Sequence, residues 1–382
     1  MEWTEVLELS SRHEFAMLAS QPGAHVGMLC RRFGFSRTKG YRLLRRFEED
    51  GADGLLDRSR RPHASPARTP ERVVQAVLAV RDAHPAWGGL KIRAWLLRHG
   101  TEANSVPAPR TIQAILLRHG RIDPRESLRH HPWQRFERDA PNELWQMDFK
   151  GHLPTRTGRC HPLTILDDHS RFSIGLFACS NELGTTVRGH LTTVFRRYGL
   201  PDGLLVDNGS PWGSAADHPY TPLTVWLLRV GVRVTHARPH HPQTLGKDER
   251  FHRTFVAEVV RHTDFRDLAH CQNVFDSWRD LYNLERPHQA LDLEVPASRY
   301  RPSKRCFPDQ LPAIDYGPDD IIRKVHEGGH IGFRGRLFRV PKSFKGYPVA
   351  LRPTTVDGVF DVWFCADRIA HIDLRAHNEN PT

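Results

Sequence analysis

Three acidic residues that lie far apart in the chain could act together. Asp148 follows WQM in an alternating segment, Asp207 ends the apolar segment LLVD, and Glu249 lies in GKDERFH. Two carboxylates about 4 Å apart repel by roughly 4 kcal/mol at an effective dielectric of ~20, so a converging trio needs protons or cations. Oxygen ligands favour Mg²⁺ or Mn²⁺ over zinc, and two such ions can activate an attacking oxygen and stabilise a leaving one at phosphorus. We therefore hypothesise that these three acids form a metal-dependent catalytic site.

Each acid also has a purely structural interpretation. An acid after a strand is more often a turn former or a helix cap, and Glu249 at the start of a helix favours the helix dipole. The neighbouring acids Asp167, Asp168 and Asp248 are competing candidates that spacing does not exclude. We disfavour Asp167 and Asp168 because they fit a hairpin turn, and Asp248 because it lies nearer the core side of its helix.

The elements that would position these acids form a mixed α/β layer. Strand period in NELWQMDFKG places Trp145, Met147 and Phe149 on one face and Asp148 on the other. Two strands around a turn at 167–170 follow, and then helix, strand, helix, strand and helix alternate. This order predicts a mixed five-stranded sheet whose later strands are parallel. Asp207 would lie at the carboxyl edge of this sheet, where ligand crevices commonly form.

The helix that begins near Leu245 would carry the third acid. Phe251, Phe255 and Val259 repeat at i, i+4 and i+8 and should face the core. Glu249 would then point nearly the opposite way, toward the edge of a cleft.

Composition indicates a polyanionic partner. The 382 residues, enough for two to four domains, include 55 Lys and Arg against 44 Asp and Glu, a formal charge of +11. Such a basic excess suits nucleic acid, and the alternative is a basic protein without such a partner. The six cysteines include no CxxC pair, which argues against a structural zinc site and fits a reducing cytoplasm. We expect neither a signal peptide nor a membrane span.

Residues 1–61 are predicted to form a helix-turn-helix domain. Ser36 can cap a second helix after a turn at Gly34, and Tyr41, Leu44 and Phe47 can face inward. Positions 31–46 hold seven Lys or Arg residues and no acid, which suits a recognition helix that approaches phosphates. The alternative is a helical bundle with a solvated basic face. The candidate DNA contacts of this domain are Arg37, Lys39, Arg42, Arg45, Arg46, Arg58, Arg60 and Arg61. A basic, proline-rich linker is expected over 62–69.

A second helical unit is predicted over 70–121. The pentapeptide LLRHG occurs twice, and its basic residue followed by glycine is typical of a helix C-terminus. We interpret the unit as three helices and a second helix-turn-helix with Arg110 as a DNA contact, although the repeat can also be two good helix stops. The polar segment 122–140 is expected to be a connector.

The end of the chain changes pattern again. After a linker over 302–319, short strands joined by Gly, Asp and Pro turns over 320–376 predict a small β-barrel of about five strands. Residues 377–382 are expected to be a tail.

Four motifs together resemble one known family. LWQMDFKG, LLVDNGSPW, HHPQTLGKDERFHRTF and YNLERPHQALDLEVPASRY resemble the integrase-type core of DDE transposases, which bacterial insertion-sequence transposases and retroviral integrases share. The resemblance covers about 141–301 and implies an RNase H-like fold. The paired N-terminal units also look like those of the insertion-sequence enzymes, and the final β-rich region is similar to a small SH3-like integrase domain.

Position by position, the resemblance implies that Asp148, Asp207 and Glu249 hold two Mg²⁺ ions, for which Mn²⁺ can substitute. The HPQT segment resembles a loop that approaches DNA near the site, and His252 could either orient a phosphate or serve local packing. The candidate DNA contacts of this region are Gln243, Thr244, Lys247, Arg250, His252 and Arg253. The segment YNLERPHQAL is expected to serve helix packing and termination. The Asp207–Glu249 separation of 249 − 207 = 42 is longer than the family commonly shows, and SPWGSAADHPYTP would hold the extra residues in a surface loop.

Together these features imply a bacterial, nucleoid-associated DNA transposase. It would bind the terminal repeats of an insertion sequence, cut the 3′ end of each strand with water, and join that end to target DNA as at least a dimer. Three alternatives stay open: a non-catalytic helix-turn-helix regulator derived from a transposase, a nuclease of the same fold that never joins strands, and a histidine-based zinc enzyme. The last of these is the least favoured of the three.

Overall fold

The computed structural model describes residues 2–57, 69–101, 104–122, 137–214, 219–237 and 246–375. The chain divides into two compact units, Met1–Arg68 and Thr69–Thr382. Residues 62–68 of the proposed linker at 62–69 and residues 123–136 of the proposed connector at 122–140 lie outside the described residues.

The described part of the first unit contains three helices, α1 (Glu2–Ala19), α2 (Val26–Arg32) and α3 (Arg37–Asp50), and a final 3₁₀ turn. The side chain of Ser36 accepts a hydrogen bond from the backbone N–H of Lys39, so the predicted cap of α3 is confirmed. Helix, turn and capped second helix therefore follow one another as the sequence predicted.

The inward face of α3 differs in part from the prediction. Leu44 and Phe47 pack against the buried cluster as expected, but Tyr41 is 57% exposed, so its assignment to the core was wrong. The residues of α3 that are buried instead are Gly40 and Leu43. A Cβ atom at Gly40 would lie 2.3 Å from the sulfur of Cys30, so only glycine permits this close approach of α2 and α3.

The second unit begins with three helices, α4 (Glu71–Ala83), α5 (Gly89–Arg98) and α6 (Pro109–Arg118), as predicted. Both LLRHG segments end a helix. Gly100 and Gly120 have φ values of +84° and +66°, the left-handed backbone that glycine adopts without strain.

The central sheet has mixed strand directions. Its strands among the described residues are β1 (Trp145–Phe149), β2 (Leu153–Thr155), β3 (Gly158–Asp167), β4 (Ser173–Cys179), β5 (Gly203–Val206) and β6 (Arg233–His236). The order is β2-β3-β1-β5-β6, with β4 also paired to β3. The β1–β3 and β3–β4 pairs are antiparallel, whereas β1–β5 and β5–β6 are parallel, which confirms the predicted parallel later strands. The three-residue strand β2 was not predicted.

Helices cover both faces of this sheet. Helices α7 (Gly184–Tyr198) and α8 (Pro222–Arg229) share one buried cluster with Trp145, Met147 and Ile165. Helices α9 (Gly246–Glu258) and α10 (Leu268–Asp280) share a separate cluster with Leu166 and Leu176, and a π-helical turn and the short helix α11 (Pro296–Arg299) follow. Neighbouring strand residues such as Ile165 and Leu166 enter different clusters because side chains alternate across a strand.

Within the second compact unit, the three-helix segment α4–α6 is attached to the central sheet and its helices through the buried carboxylate of Glu258. Lys91 Nζ on α5 lies 3.9 Å from Glu258 Oε1, and Arg286 Nε lies 2.9 Å from the same oxygen. Trp278 Nε1 donates to Glu258 Oε2 at 3.1 Å. Arg98 on α5 also donates to the carbonyl oxygen of Leu293 at 3.2 Å.

The end of the chain is all-β, and its described part has one more strand than predicted. The strands are β7 (Ile321–Lys324), β8 (His330–Phe333), β9 (Arg336–Arg339), β10 (Pro348–Pro353), β11 (Val359–Phe364) and β12 (Asp367–Asp373). A four-stranded sheet in the order β12-β11-β10-β7 and the β8–β9 hairpin share one core with Val225 and Leu228 of α8. Within the described ranges, no helix is long and apolar enough to cross a membrane.

Candidate active site

Asp148 and Asp207 meet at one edge of the central sheet. Met147 and Val206 are partners in the parallel β1–β5 pair, and each acid is the next residue of its chain segment. Both acids line a pocket of about 200 Å³. Burial, followed by the charge of Asp207, raises the pKa of Asp148 to about 6. Oxygen donors that repel each other in this way suit a divalent cation.

A third carboxylate in this pocket was missed by the sequence analysis. Glu182 lines the pocket with Asp148 and Asp207, and its charge also raises the pKa of Asp148. Its Oε1 lies 2.8 Å from Nδ1 of His161, which fixes the carboxylate beside β3. The available signal was an acid just after strand β4, but its approach to Asp148 depends on the pairing of β4 with β3.

Glu249 lies in the first turn of α9 and lines a neighbouring pocket of about 610 Å³. Lys150, His252 and Arg253 line the same pocket. Ligand atoms of His252 in this pocket and of Asp148 in the first pocket lie within 4.8 Å of each other, so the two pockets are neighbours. The structure thus brings Asp148 and Asp207 together in one pocket and places Glu249 in the next, and convergence of all three stays a prediction.

Asp248 lies on the core side of α9, as the sequence predicted. It is fully buried, and the Thr164 hydroxyl lies 3.1 Å from its Oδ1. Its backbone N–H donates to Oε1 of Gln146 at 3.3 Å. Burial and the nearby charge of Asp148 raise its pKa well above the usual range. The sequence did not indicate that Asp248 would approach Asp148.

His252 is also buried, which favours the packing interpretation over an exposed phosphate contact. Its Nε2 lies 2.9 Å from the Thr164 hydroxyl and 3.8 Å from Oδ2 of Asp248, and burial lowers its pKa to about 3. Asp148, Asp248 and His252 each offer one ligand atom, and these atoms all lie within 4.8 Å of one another. This arrangement could hold a metal ion.

Lys247 contacts protein rather than the open pocket. Its Nζ lies 2.5 Å from Oδ2 of Asp168, and burial lowers the pKa of Lys247 to about 8. Asp168 also accepts a hydrogen bond from Nε2 of Gln146 at 2.8 Å, and Asp167 accepts one from the Ser170 hydroxyl at 2.6 Å. The predicted turn after β3 is therefore confirmed, with both of its acids in structural roles.

The candidate DNA contacts on α3 fall into two groups. The exposed ones are Arg37, Arg42 and Arg45. Lys39 instead covers the Phe35 ring, with its Nζ 4.7 Å from the ring centroid. Arg46 donates to the carbonyl oxygen of Leu56 and so joins α3 to the 3₁₀ turn. Lys39 and Arg46 therefore stabilise the fold of the first unit.

The remaining candidates lie elsewhere. Arg110 on α6 and both Arg250 and Arg253 on α9 are exposed. Outside the described residues lie Arg58, Arg60, Arg61, Gln243 and Thr244. The segment YNLERPHQAL packs against the core as expected: Asn283 pairs with the backbone of Ser173 through both its amide oxygen and its amide nitrogen.

Family profiles match successive parts of the chain. "Integrase core domain" profiles match residues 138–242 and 230–296, and "IS481 family transposase, C-terminal domain" matches 320–380. At the front of the chain, "Helix-turn-helix domain" matches 14–63 and "Homeodomain-like domain" matches 39–116. The helical front end therefore indicates DNA binding.

Two proteins of similar sequence come from bacterial insertion elements. The chain is 28% identical over 229 residues to the IS407 uncharacterized 31.7 kDa protein of Burkholderia multivorans, covering 59% of this chain and 80% of that one. It is 28% identical over 157 residues to the IS476 uncharacterized 39.2 kDa protein of Xanthomonas euvesicatoria, covering 41% and 44% of the two chains.

A solved structure is similar at lower identity. A chain of the simian T-cell lymphotropic virus intasome aligns at 14% identity with a TM-score of 0.39, covering 75% of this chain and 91% of that one. The assignment depends on the sequence matches above. The chain is a DDE-type insertion-sequence transposase with an integrase-type catalytic core.

Proposed function

We propose that this transposase binds the terminal repeats of an insertion sequence, cuts the 3′ end of each strand, and joins that end to target DNA in a Mg²⁺-dependent reaction. The observation that carries the proposal is the shared pocket of Asp148 and Asp207. Asp148 lies near the end of β1 and Asp207 directly follows β5, its parallel partner, and a divalent cation would relieve the repulsion between the two carboxylates.

The three acids would hold two Mg²⁺ ions, with Mn²⁺ as a substitute. Asp148 and Asp207 supply oxygen ligands from the sheet, and Glu249 supplies one from the adjoining pocket on α9. When bound, the ions would activate the attacking oxygen and stabilise the leaving oxygen at phosphorus. No covalent protein–DNA intermediate is needed, so we assign no serine, tyrosine or cysteine nucleophile.

Basic residues beside the acids would hold the DNA backbone. Lys150, Arg253 and Arg261 line the Glu249 pocket, where they can neutralise phosphates close to the reacting bond. Arg37, Arg42 and Arg45 are exposed on the second helix of the helix-turn-helix and would contact the element end. Two element ends must be processed together, so we expect at least a dimer on DNA.

A strand-transfer assay tests the proposal. Full-length protein is incubated with Mg²⁺ and a labelled duplex taken from the DNA that flanks the gene, and cut and joined products are separated on a denaturing gel. Asp148→Asn, Asp207→Asn and Glu249→Gln should each abolish cutting and joining while the protein still binds the duplex. The charge-matched control Asp319→Asn changes an exposed residue just before β7 and should keep full activity.

Other outcomes assign different functions. Cutting without joined products would identify a nuclease, and binding without any cutting would identify a regulator. Full activity in one of the three acid variants would remove that residue from the site.

A further inference from the structure

A second set of metal ligands lies beside the Asp148–Asp207 pocket. We propose that Asp148, Asp248 and His252 together bind a divalent first-row transition ion through two carboxylate oxygens and one imidazole nitrogen. The inference rests on the proposed metal-dependent function in one respect, because Asp148 belongs to both ligand sets.

The geometry of α9 creates this ligand set. Asp248 and His252 are four residues apart, so both side chains lie on the same face of the helix. Nε2 of His252 is 3.8 Å from Oδ2 of Asp248. Strand β1 adds a carboxylate oxygen of Asp148, and the three ligand atoms lie within 4.8 Å of one another. The spacing suits one ion bound by all three side chains.

Asp248 is a buried acid without a cationic neighbour. Among the residues that the structure describes, no Lys or Arg nitrogen lies within the 4.0 Å ion-pair limit of its carboxylate, and the ring of His252 is the nearest basic group. Other buried acids have such partners: Asp168 pairs with Lys247, and Glu258 pairs with Arg286. A buried carboxylate is costly unless it is protonated, paired or bound to a metal, and a bound ion would supply the missing positive charge.

His252 can act as a nitrogen ligand. Its Nε2 lies 3.8 Å from Oδ2 of Asp248, so a neutral ring can offer this nitrogen to the same ion. The Thr164 hydroxyl contacts these same atoms, at 2.9 Å from Nε2 of His252 and 3.1 Å from Oδ1 of Asp248, and it would give up these contacts to the bound ion. An imidazole nitrogen suits transition ions better than Mg²⁺, which prefers oxygen ligands and water. The ligand set therefore predicts a preference for a transition ion over Mg²⁺.

Mn²⁺ is the probe for the experiment, because it is paramagnetic. Its affinity for the full-length protein is measured from the EPR signal of free Mn²⁺, with and without competing Mg²⁺. The pulsed EPR spectrum of the bound ion then shows whether a histidine nitrogen is a direct ligand. We expect ¹⁴N modulation from one imidazole, replaced by ¹⁵N modulation in protein made with ¹⁵N-labelled histidine.

Two histidine variants complete the test. His252→Gln should remove the nitrogen modulation and weaken Mn²⁺ binding at this position about tenfold or more, with a much smaller effect on Mg²⁺. The control His371→Gln changes an exposed histidine of the all-β region and should keep both signals. Thermal melting without metal shows whether His252→Gln is folded, and the isotope experiment on the wild-type sequence needs no variant.

The outcomes separate this inference from the proposed function. DNA joining by a protein whose bound Mn²⁺ shows no histidine nitrogen would overturn the ligand set and leave the transposase proposal intact. Histidine-coordinated Mn²⁺ in a protein that never joins DNA would do the reverse. Nitrogen modulation that persists in folded His252→Gln would also overturn the assignment of His252.

Discussion

Nζ of Lys247 lies 2.5 Å from Oδ2 of Asp168 and 3.0 Å from the carbonyl oxygen of the same residue. This contact attaches the first turn of α9 to the turn between β3 and β4. Glu249 is in the same helical turn as Lys247, and Asp248 lies between them. The ion pair therefore fixes the position of the acidic end of α9 relative to Asp148 on β1.

Removal of the Lys247 charge should destabilise the catalytic core. The side chains of Lys247 and Asp168 are 14% and 1% exposed, so Lys247→Met would leave a buried carboxylate without its cation, at a cost of about 3 kcal/mol. Chemical denaturation monitored by tryptophan fluorescence measures the change. The double variant Lys247→Met/Asp168→Asn should recover most of the loss. Lys345→Met breaks an exposed pair with Glu327 and should change stability by less than about 1 kcal/mol.

Asp148 should make stability depend on pH in the absence of divalent cations. Its pKa is raised from 3.8 to about 6, so ionisation of the folded protein costs stability as the pH rises through this interval. Asp148→Asn should be more stable than the wild type by about 1–2 kcal/mol near pH 8 and similar to it below about pH 4. Thermal melting across this range measures the difference. Saturating Mg²⁺ should reverse the order, because only the wild type has the carboxylate ligand.

Glu182 should shift the pH at which the site binds metal. Its charge helps to raise the pKa of Asp148, so Glu182→Gln should let Asp148 ionise at lower pH. The midpoint of Mn²⁺ binding against pH should therefore move downward. A midpoint that stays fixed or moves upward would show that Glu182 acts mainly as a metal ligand or through its contact with His161.

Substitution of two arginines on the same helix should affect different properties, DNA affinity in one case and stability in the other. Arg42 is exposed, so Arg42→Ala should weaken binding to the element end and reduce the salt dependence of the affinity by about one unit of slope. Arg46 bonds the carbonyl oxygen of Leu56, so Arg46→Ala should lower the melting temperature of the first unit instead. Fluorescence anisotropy at several salt concentrations and thermal melting separate the two effects. Equal loss of DNA affinity at constant stability in both variants would contradict this division.

Local periodicity was enough to predict most of the elements and their order. The alternation around Met147 and the repeat of Phe251, Phe255 and Val259 each mark apolar side chains, and the structure buries these four residues. The three-residue strand β2 is too short to show a period. Tyr41 was misassigned because the close approach of Gly40 to α2 decides which face of α3 is buried. A hydrophobic pattern does not reveal a contact made by glycine.

The candidate site was predictable only in part, for a related reason. Asp148 lies near the end of β1 and Asp207 directly follows the neighbouring parallel strand β5, so strand order alone brings them together. The approach of Asp248 and His252 to Asp148 depends on the rotation of α9, which the Lys247–Asp168 pair and Thr164 hold in place. These contacts join residues that are far apart in the chain and have no local signature.

The attachment of α5 to the catalytic core through Glu258 bears on the spacing between the DNA sequence that is bound and the phosphate that is cut. Lys91 and Arg286 both contact this carboxylate, and the helical unit over 70–121 and the catalytic sheet belong to the same compact unit. If the helical unit over 70–121 binds the element end, the dimensions of the protein set the number of base pairs between the bound sequence and the cut phosphate. The enzyme would then cut at a fixed distance from the bound sequence. Base pairs inserted between the two would therefore place the cut in a different sequence.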